Sequence, residues 1–342
     1  MQLFFRNDYG EGAHPIVMER LMQTNMEHTC GYGLDEYSLR AQKLIREKCG
    51  QEQAAVHLMI GGTSANVIAL SAFMRPYEAA VCAPTGHINT HETGALEGMG
   101  HKILTCASID GKATAEGVRE VCRNHQDEHV VKPRVVYISQ PTEIGTVYSL
   151  QELRALREAC DECGLLLYVD GARLGSALTC SECDMTLKEM ASLVDAFTIG
   201  GTKNGMLFGE ALVLVNQALH EDFRWMIKHG GGMMAKGRLC GLMFLAAFEN
   251  DDYFSWARHA NQMADVIRAG MERGGVAYFQ KTTTNQIFPI VTEEQEKALA
   301  ERFAFERWEI LPDGRRAIRF VTSWATAQED AQQLADAMEA LR

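Results

Sequence analysis

The stretch "LLLYVDGARLGSAL", residues 165–178, climbs through apolar residues to one acid, Asp170, turns at Gly171 and presents Arg173 almost at once. A short continuous apolar run bounded by glycine reads as a strand buried on both faces, as in a parallel sheet covered by helices. A carboxylate at the end of such a strand keeps its charge only if a cation or donors meet it. Arg173 is the expected cation; an Asp that merely caps the next turn is the plainer alternative.

The same texture extends outward on both sides. "AAVCA" (79–83) and "RVVYIS" (134–139) are predicted as buried strands. A turn at Pro141 follows, and Ser149 with Glu152 forms a capping box opening a helix toward Gly164. "DAFTIGGTKNG" (195–205) is predicted as a strand ending in glycines. "ALVLV" (211–215) follows so closely that a short return connection, and an antiparallel strand, is expected. Beyond about residue 250, long helical stretches are predicted at 251–273, 293–305 and 326–341, with shorter strands near "NQIFPI" and "AIRFV". The expected fold is α/β. A large domain, 1–248, has a mostly parallel sheet covered by helices and an N-terminal segment near the small domain; a smaller C-terminal α+β domain takes 249–342.

Composition narrows the function. At 46% hydrophobic and 23% charged, with no apolar run near the ~20 residues of a membrane helix, the 342-residue chain reads as soluble, cytoplasmic and without a secretory leader. A net charge of -12 and no basic stripe argue against nucleic acid, so a small-molecule partner is the default. The ten cysteines read as reduced thiols. Cys160, Cys163, Cys180 and Cys183 form two CxxC pairs at zinc-ribbon spacing. The first pair closes a helix, however, and the next strand carries the chain away from it, so four ordinary thiols and no metal are expected.

Ligands of open α/β sheets sit beyond the carboxyl ends of the strands, and four such places carry unusual chemistry. "IGGTSANVIAL" leads glycines and hydroxyls into a helix start, either an anion cradle or a simple N-cap. "PTGHINTHETGALEG" (84–98) packs His87, His91 and Glu92 together. That segment suits an imidazole covering an aromatic ligand, or solvated loop histidines; metal binding there would need a helix. Asp170 is the third place. Lys203, between "GGT" and "NG", is the fourth, where small neighbours let a bulky ligand approach an amine. One cofactor uses all four: pyridoxal phosphate has an aldehyde for the lysine, a ring nitrogen for the aspartate, a face for the histidine and a phosphate for the glycine turn.

Their order along the chain resembles the aspartate-aminotransferase-like fold of pyridoxal-phosphate enzymes, fold type I. Within it the chain resembles the threonine aldolase and β-eliminating lyase family. The pieces that carry this likeness run from "FFRNDYGEG" through "TGHINTHETGALEGMG", "DGARL", the glycine-flanked lysine and "HGGGMMAKGRL" to "IRFVTSW". The resemblance implies that Lys203 carries the cofactor as a Schiff base, that Asp170 keeps the pyridine nitrogen protonated and that His87 stacks on the ring. Gly62, Thr63 and Thr202 join them as cofactor contacts. Arg173 contacts the cofactor and, with Arg319, grips a substrate carboxylate, near Asn7 where the family has serine. Met234 stands where an arginine usually follows "GGGM", with Lys236 or Arg238 as substitutes. Tyr32, in "CGYGLDEY", matches a segment that crosses to a neighbouring subunit's site, which implies a homodimer or homotetramer. The implied activity is reversible cleavage of an L-3-hydroxy-amino acid of the threonine or allo-threonine type to glycine and an aldehyde. His87, then His91, is the expected general base, with Glu92 or a water as alternatives. β-Elimination or amino transfer on the same cofactor, or a non-catalytic protein keeping the fold, are the competing readings.

Overall fold

Strands made of β-branched and other apolar residues on both faces need cover above and below, and seven of them meet here in one sheet. The computed structural model describes residues 2–341. The strands are β1 (Ala55–Met59), β2 (Glu78–Cys82), β3 (Lys102–Thr105), β4 (Lys132–Ser139), β5 (Leu166–Asp170), β6 (Ala196–Gly200) and β7 (Glu210–Leu214). Their order is β3-β2-β4-β5-β6-β7-β1. All run parallel except β7, which is antiparallel to β6 and β1, as its close spacing after β6 foretold.

Because side chains alternate along a strand, each strand feeds two cores. Leu167 and Val169 of β5 join Phe197, Ile199 and Val136 on one face, under the helices Glu36–Cys49, Leu150–Cys163 and Arg238–Phe248. Leu166 and Tyr168 join Tyr137, Ala196 and Leu212 on the other, under the helices Gly62–Phe73 and Phe223–His229. Asp170 continues the second series, so its side chain rises on the face that helix Gly62–Phe73 covers. The capping box of Ser149 and Glu152 is formed, and Gly164, at φ 67, ends its helix.

A second, antiparallel sheet has strands β8 (Tyr278–Gln280), β9 (Gln286–Val291), β10 (Glu306–Ile310) and β11 (Arg316–Val321), in the order β8-β9-β11-β10. The two edge strands, β8 and β10, escaped the sequence reading. Their residues are only half-buried or exposed, so they lack the apolar run that marks a central strand. The helix expected to reach 305 ends at Arg302, because Phe303 and Ala304 turn out to pair in parallel with Leu3 and Phe4. That two-stranded ladder, separate from the small sheet, ties the N-terminal segment to the small lobe. Helix Asp252–Gly274 serves both lobes: Tyr253 and Trp256 pack into the large core, Met263, Ile267 and Met271 into the small one. Among the described residues no helix is long and apolar enough to cross a membrane.

Candidate active site

Strands β4, β5 and β6 end side by side at Ser139, Asp170 and Gly200, where their loops converge. Close approach there demands glycine: a Cβ on Gly171 would lie 2.0 Å from the Thr198 carbonyl oxygen. Asp170 is therefore delivered rigidly.

Three donors meet its carboxylate. Tyr137 OH (2.6 Å) and Asn66 Nδ2 (2.7 Å) donate to Oδ2, and the Ala172 N–H (2.9 Å) donates to Oδ1. Burial pushes the Asp170 pKa up, but the facing His87 and these hydrogen bonds outweigh it and hold the group below the usual carboxylate range. Arg173 is not its partner, contrary to the sequence expectation. Its Nε and Nη2 form a two-pronged ion pair with the fully buried carboxylate of Asp8, at 2.7 and 3.0 Å. Asp8 arrives on the N-terminal segment and is held also by Asn285 Nδ2 at 2.9 Å; nothing local to "DGAR" announces it.

Asn66, one helical turn into Gly62–Phe73, organises the next layer. Its amide oxygen accepts from Tyr168 OH, while its Nδ2 donates to both Asp170 and Glu92. Glu92 lies completely buried behind His87 and accepts from His87 Nδ1 at 2.9 Å. Burial disfavours the His87 charge, yet the Glu92 hydrogen bond and the field of Asp170 raise its pKa above the ordinary value. Oxygen and nitrogen atoms of His87, Glu92 and Asp170 all lie within 4.8 Å of one another. Asn66 and Tyr137 bind the carboxylates into one hydrogen-bonded chain there. His91, in contrast, is pushed down by burial and by the nearby His87, Arg319 and Lys203; its ring stands edge-on to His87 at 5.5 Å.

Lys203 follows β6 on the tight loop between Gly201 and Gly209, where Gly209 N–H donates to Thr202 Oγ1. Burial and Arg173 lower its pKa against the pull of Asp8, Asp170 and Glu210. Lys203, His87, His91, Arg173 and Arg319 share one cavity of 460 Å³ with Glu143 and Trp308. Arg319 deserves notice because its side chain makes no hydrogen bond or ion pair among the described residues, and its buried Nε has no partner. Burial and Arg173 bring its pKa down to about 10.

At the start of helix Gly62–Phe73 no side chain caps the first turn, and a Cβ on Gly61 or Gly62 would meet nothing within 4 Å. Thr63 is exposed beside this open space. Other expected residues lie apart from the cavity. The Asn7 amide accepts from the Tyr9 N–H at 3.1 Å. Tyr32 is exposed, with Lys228 Nζ 4.8 Å over its ring, and borders a different depression with Met234. Arg238 donates to the Glu27 and Thr24 carbonyls and lies over Tyr37, so it braces the N-terminal segment and is no free substitute for the missing arginine. The CxxC thiols are likewise divided: Cys160 packs in the large core, Cys180 donates to Ala177 O and Cys183 to Met185 O.

Sequence reasoning missed Asp8, Asn66, Tyr137, Glu143, Glu210 and Trp308. Asn66 was visible as a polar residue inside an apolar helical run; the others sit far along the chain from the groups they touch. Glu210, at the head of β7, is buried with Oε2 unpartnered, and burial together with Asp170 pushes its pKa well above the ordinary value.

Comparison with known proteins places the chain in a family and a fold. The model of the β-eliminating lyase family matches residues 5–294. A threonine aldolase structure from Leishmania major is 40% identical and superposes with a TM-score of 0.97 over 99% of each chain. The low specificity L-threonine aldolase of Pseudomonas sp. (strain NCIMB 10558) is 34% identical over 337 residues, 97% of this chain and 95% of its own. A Thermus thermophilus aspartate aminotransferase variant, at 13% identity and TM-score 0.71 over 100% and 92% of the two chains, shares the fold.

Proposed function

Since this chain belongs to the β-eliminating lyase family, we propose that it is a pyridoxal-phosphate-dependent aldehyde-lyase. It cleaves an L-3-hydroxy-amino acid of the threonine type to glycine and an aldehyde. The observation that supports this reading is that Lys203 and His87 line one cavity, and that a ring nitrogen of His87 also lies within 4.8 Å of the buried Asp170 carboxylate. The residues present fit the cofactor. The uncapped, open first turn of Gly62–Phe73 offers N–H groups to a phosphate, Asp170 offers a fixed negative charge to a pyridinium, and Lys203 offers an amine of lowered proton affinity. Bound pyridoxal phosphate supplies an electrophilic carbon and a cationic ring that accepts the electron pair released at Cα.

The chain's residues divide the remaining work. Arg319, half-buried and without an ion-pair partner among the described residues, grips the substrate carboxylate. Arg173 uses its Nε edge on Asp8, so only the Nη1/Nη2 end of its guanidinium is left to turn toward a substrate. His87 is tied through Nδ1 to Glu92, which fixes the orientation of its ring and suits it to lie against the cofactor. His91 stays neutral and borders the same cavity, so we assign to His91 the removal of the β-hydroxyl proton, reversing the order expected from sequence. Lys203, whose amine lies in the same cavity, would return a proton to the glycine carbon. Thr202 holds the lysine loop closed, and Asn7 shapes the segment that delivers Asp8.

We further propose a cytoplasmic homodimer or homotetramer. The exposed apolar side chains Met26, Tyr32, Leu34 and Trp225 support a partner copy covering this face, with Tyr32 serving the neighbouring site. The decisive experiment is an absorbance scan of purified protein with product analysis. A yellow chromophore that borohydride fixes onto Lys203, and that Lys203→Ala lacks, is expected; threonine then yields glycine and acetaldehyde. Colourless protein, or release of ammonia and a keto acid, would overturn the assignment.

A further inference from the structure

Trp308 lies on β10, where the ladder slips. Glu306 pairs with Arg319 and Arg307 with Ile318, but Glu309, and not Trp308, faces Ala317. Trp308 is thus the extra residue of a β-bulge, the device by which a strand re-aims one side chain. The bulge turns its indole into the cavity that holds Lys203 and His91. There the Arg319 guanidinium carbon lies 5.2 Å from the ring centroid, the His91 ring stands edge-on at 6.2 Å, and Phe288 backs the indole at 5.2 Å.

These contacts matter because Arg319 has no other anchor. Among the described residues its side chain makes no hydrogen bond or ion pair, and an arginine without partners samples many rotamers. A guanidinium stacked on indole loses that freedom while keeping all its N–H donors in its own plane, free for a carboxylate. The same ring limits where His91 can lean. We propose that Trp308 is a positioning residue of this site: through its bulge it holds the Arg319 guanidinium over its ring for the substrate carboxylate and fixes His91 beside it. This rests on the reading above, in which Arg319 binds that carboxylate.

Trp308→Ala is expected to raise the KM for threonine about tenfold, because the lost contact weakens carboxylate binding, and to lower kcat several-fold, because His91 loses the ring that fixes it. Trp308→Phe, which keeps a π face, should restore most of the affinity. A second readout needs no turnover: phenylglyoxal modification of Arg319, mapped by mass spectrometry on substrate-free protein, should be several-fold faster in Trp308→Ala than in wild type or Trp308→Phe. Both variants should keep the wild-type circular dichroism, since Trp308 is half-buried on an edge strand. An unchanged KM together with an unchanged modification rate would overturn the proposal. If the modification rate responds but wild type does not cleave threonine, positioning stands and the functional reading fails.

Discussion

Asp170 holds its charge in a buried position without an arginine beside it. Three neutral donors and the field of His87 do what a single guanidinium was expected to do, leaving Arg173 to Asp8. The distinction has a consequence for substitution. Asp170→Asn keeps an acceptor for Tyr137 and Asn66 but turns its amide nitrogen toward the Ala172 N–H, and it loses the charge that would stabilise a protonated ring nitrogen. We expect it to retain cofactor but to lose at least about a hundredfold in kcat, as measured by coupled detection of acetaldehyde. Retention of more than about a tenth of wild-type turnover would dissociate Asp170 from the ring. The strand-end acid, the lone lysine and the histidine segment were legible because each breaks an apolar or glycine-rich context. Which cation meets which acid was not, since Asp8 and Arg173 are joined only by the folded path of the N-terminal segment.

At the level of elements, β1 is an edge strand whose only neighbour is β7, and it carries His57 into the space against Phe223, ring to ring at 5.0 Å. Burial, helped by Arg224 and His220, lowers the His57 pKa to about 4, and its Nε2 has no partner. The folded state therefore prefers the neutral ring, while the unfolded chain binds a proton near pH ~6.5. The stability this represents is complete above that pH and is lost as pH falls toward 4. Replacing His57 by Phe should remove part of the acid sensitivity, on the order of 2 kcal/mol between pH 7 and 4.5 by urea midpoints at the two pH values. An equal pH drop in wild type and variant would show that His57 titrates freely. Central strands and capped helices were readable from apolar runs and from the Ser149–Glu152 pair. The edge strands β8 and β10 were not, because half-exposed strands look like loops.

For the molecule as a whole, two lobes share one long helix and one N-terminal strap. We place their boundary at 248/249, at the approach to helix Asp252–Gly274. The strap pairs with Phe303 and Ala304 of the small lobe through Leu3 and Phe4, accepts the Val321 N–H on the Phe5 carbonyl, and then hands Asp8 to Arg173 of the large lobe. Asp8→Ala would strand a buried guanidinium beside Lys203 and Arg319. A loss of about 3 kcal/mol in unfolding free energy is expected, with a larger proportional loss of activity than of structure. A denaturation midpoint indistinguishable from wild type would show that the bridge contributes little.

Composition, periodicity and the glycine-bounded ends of the strands were enough to specify an α/β chain, its antiparallel β7 and the four groups that suit one cofactor. These features are local: a run of apolar residues, a cap or a turn acts over a few positions and is written where it acts. The Asp8–Arg173 pair, the Asn66 relay, the opposite pKa shifts of His87 and His91 and the bulge that aims Trp308 depend on segments far apart in the chain. Their geometry exists only after packing has removed water and brought those segments within hydrogen-bond reach, which no stretch of sequence encodes by itself.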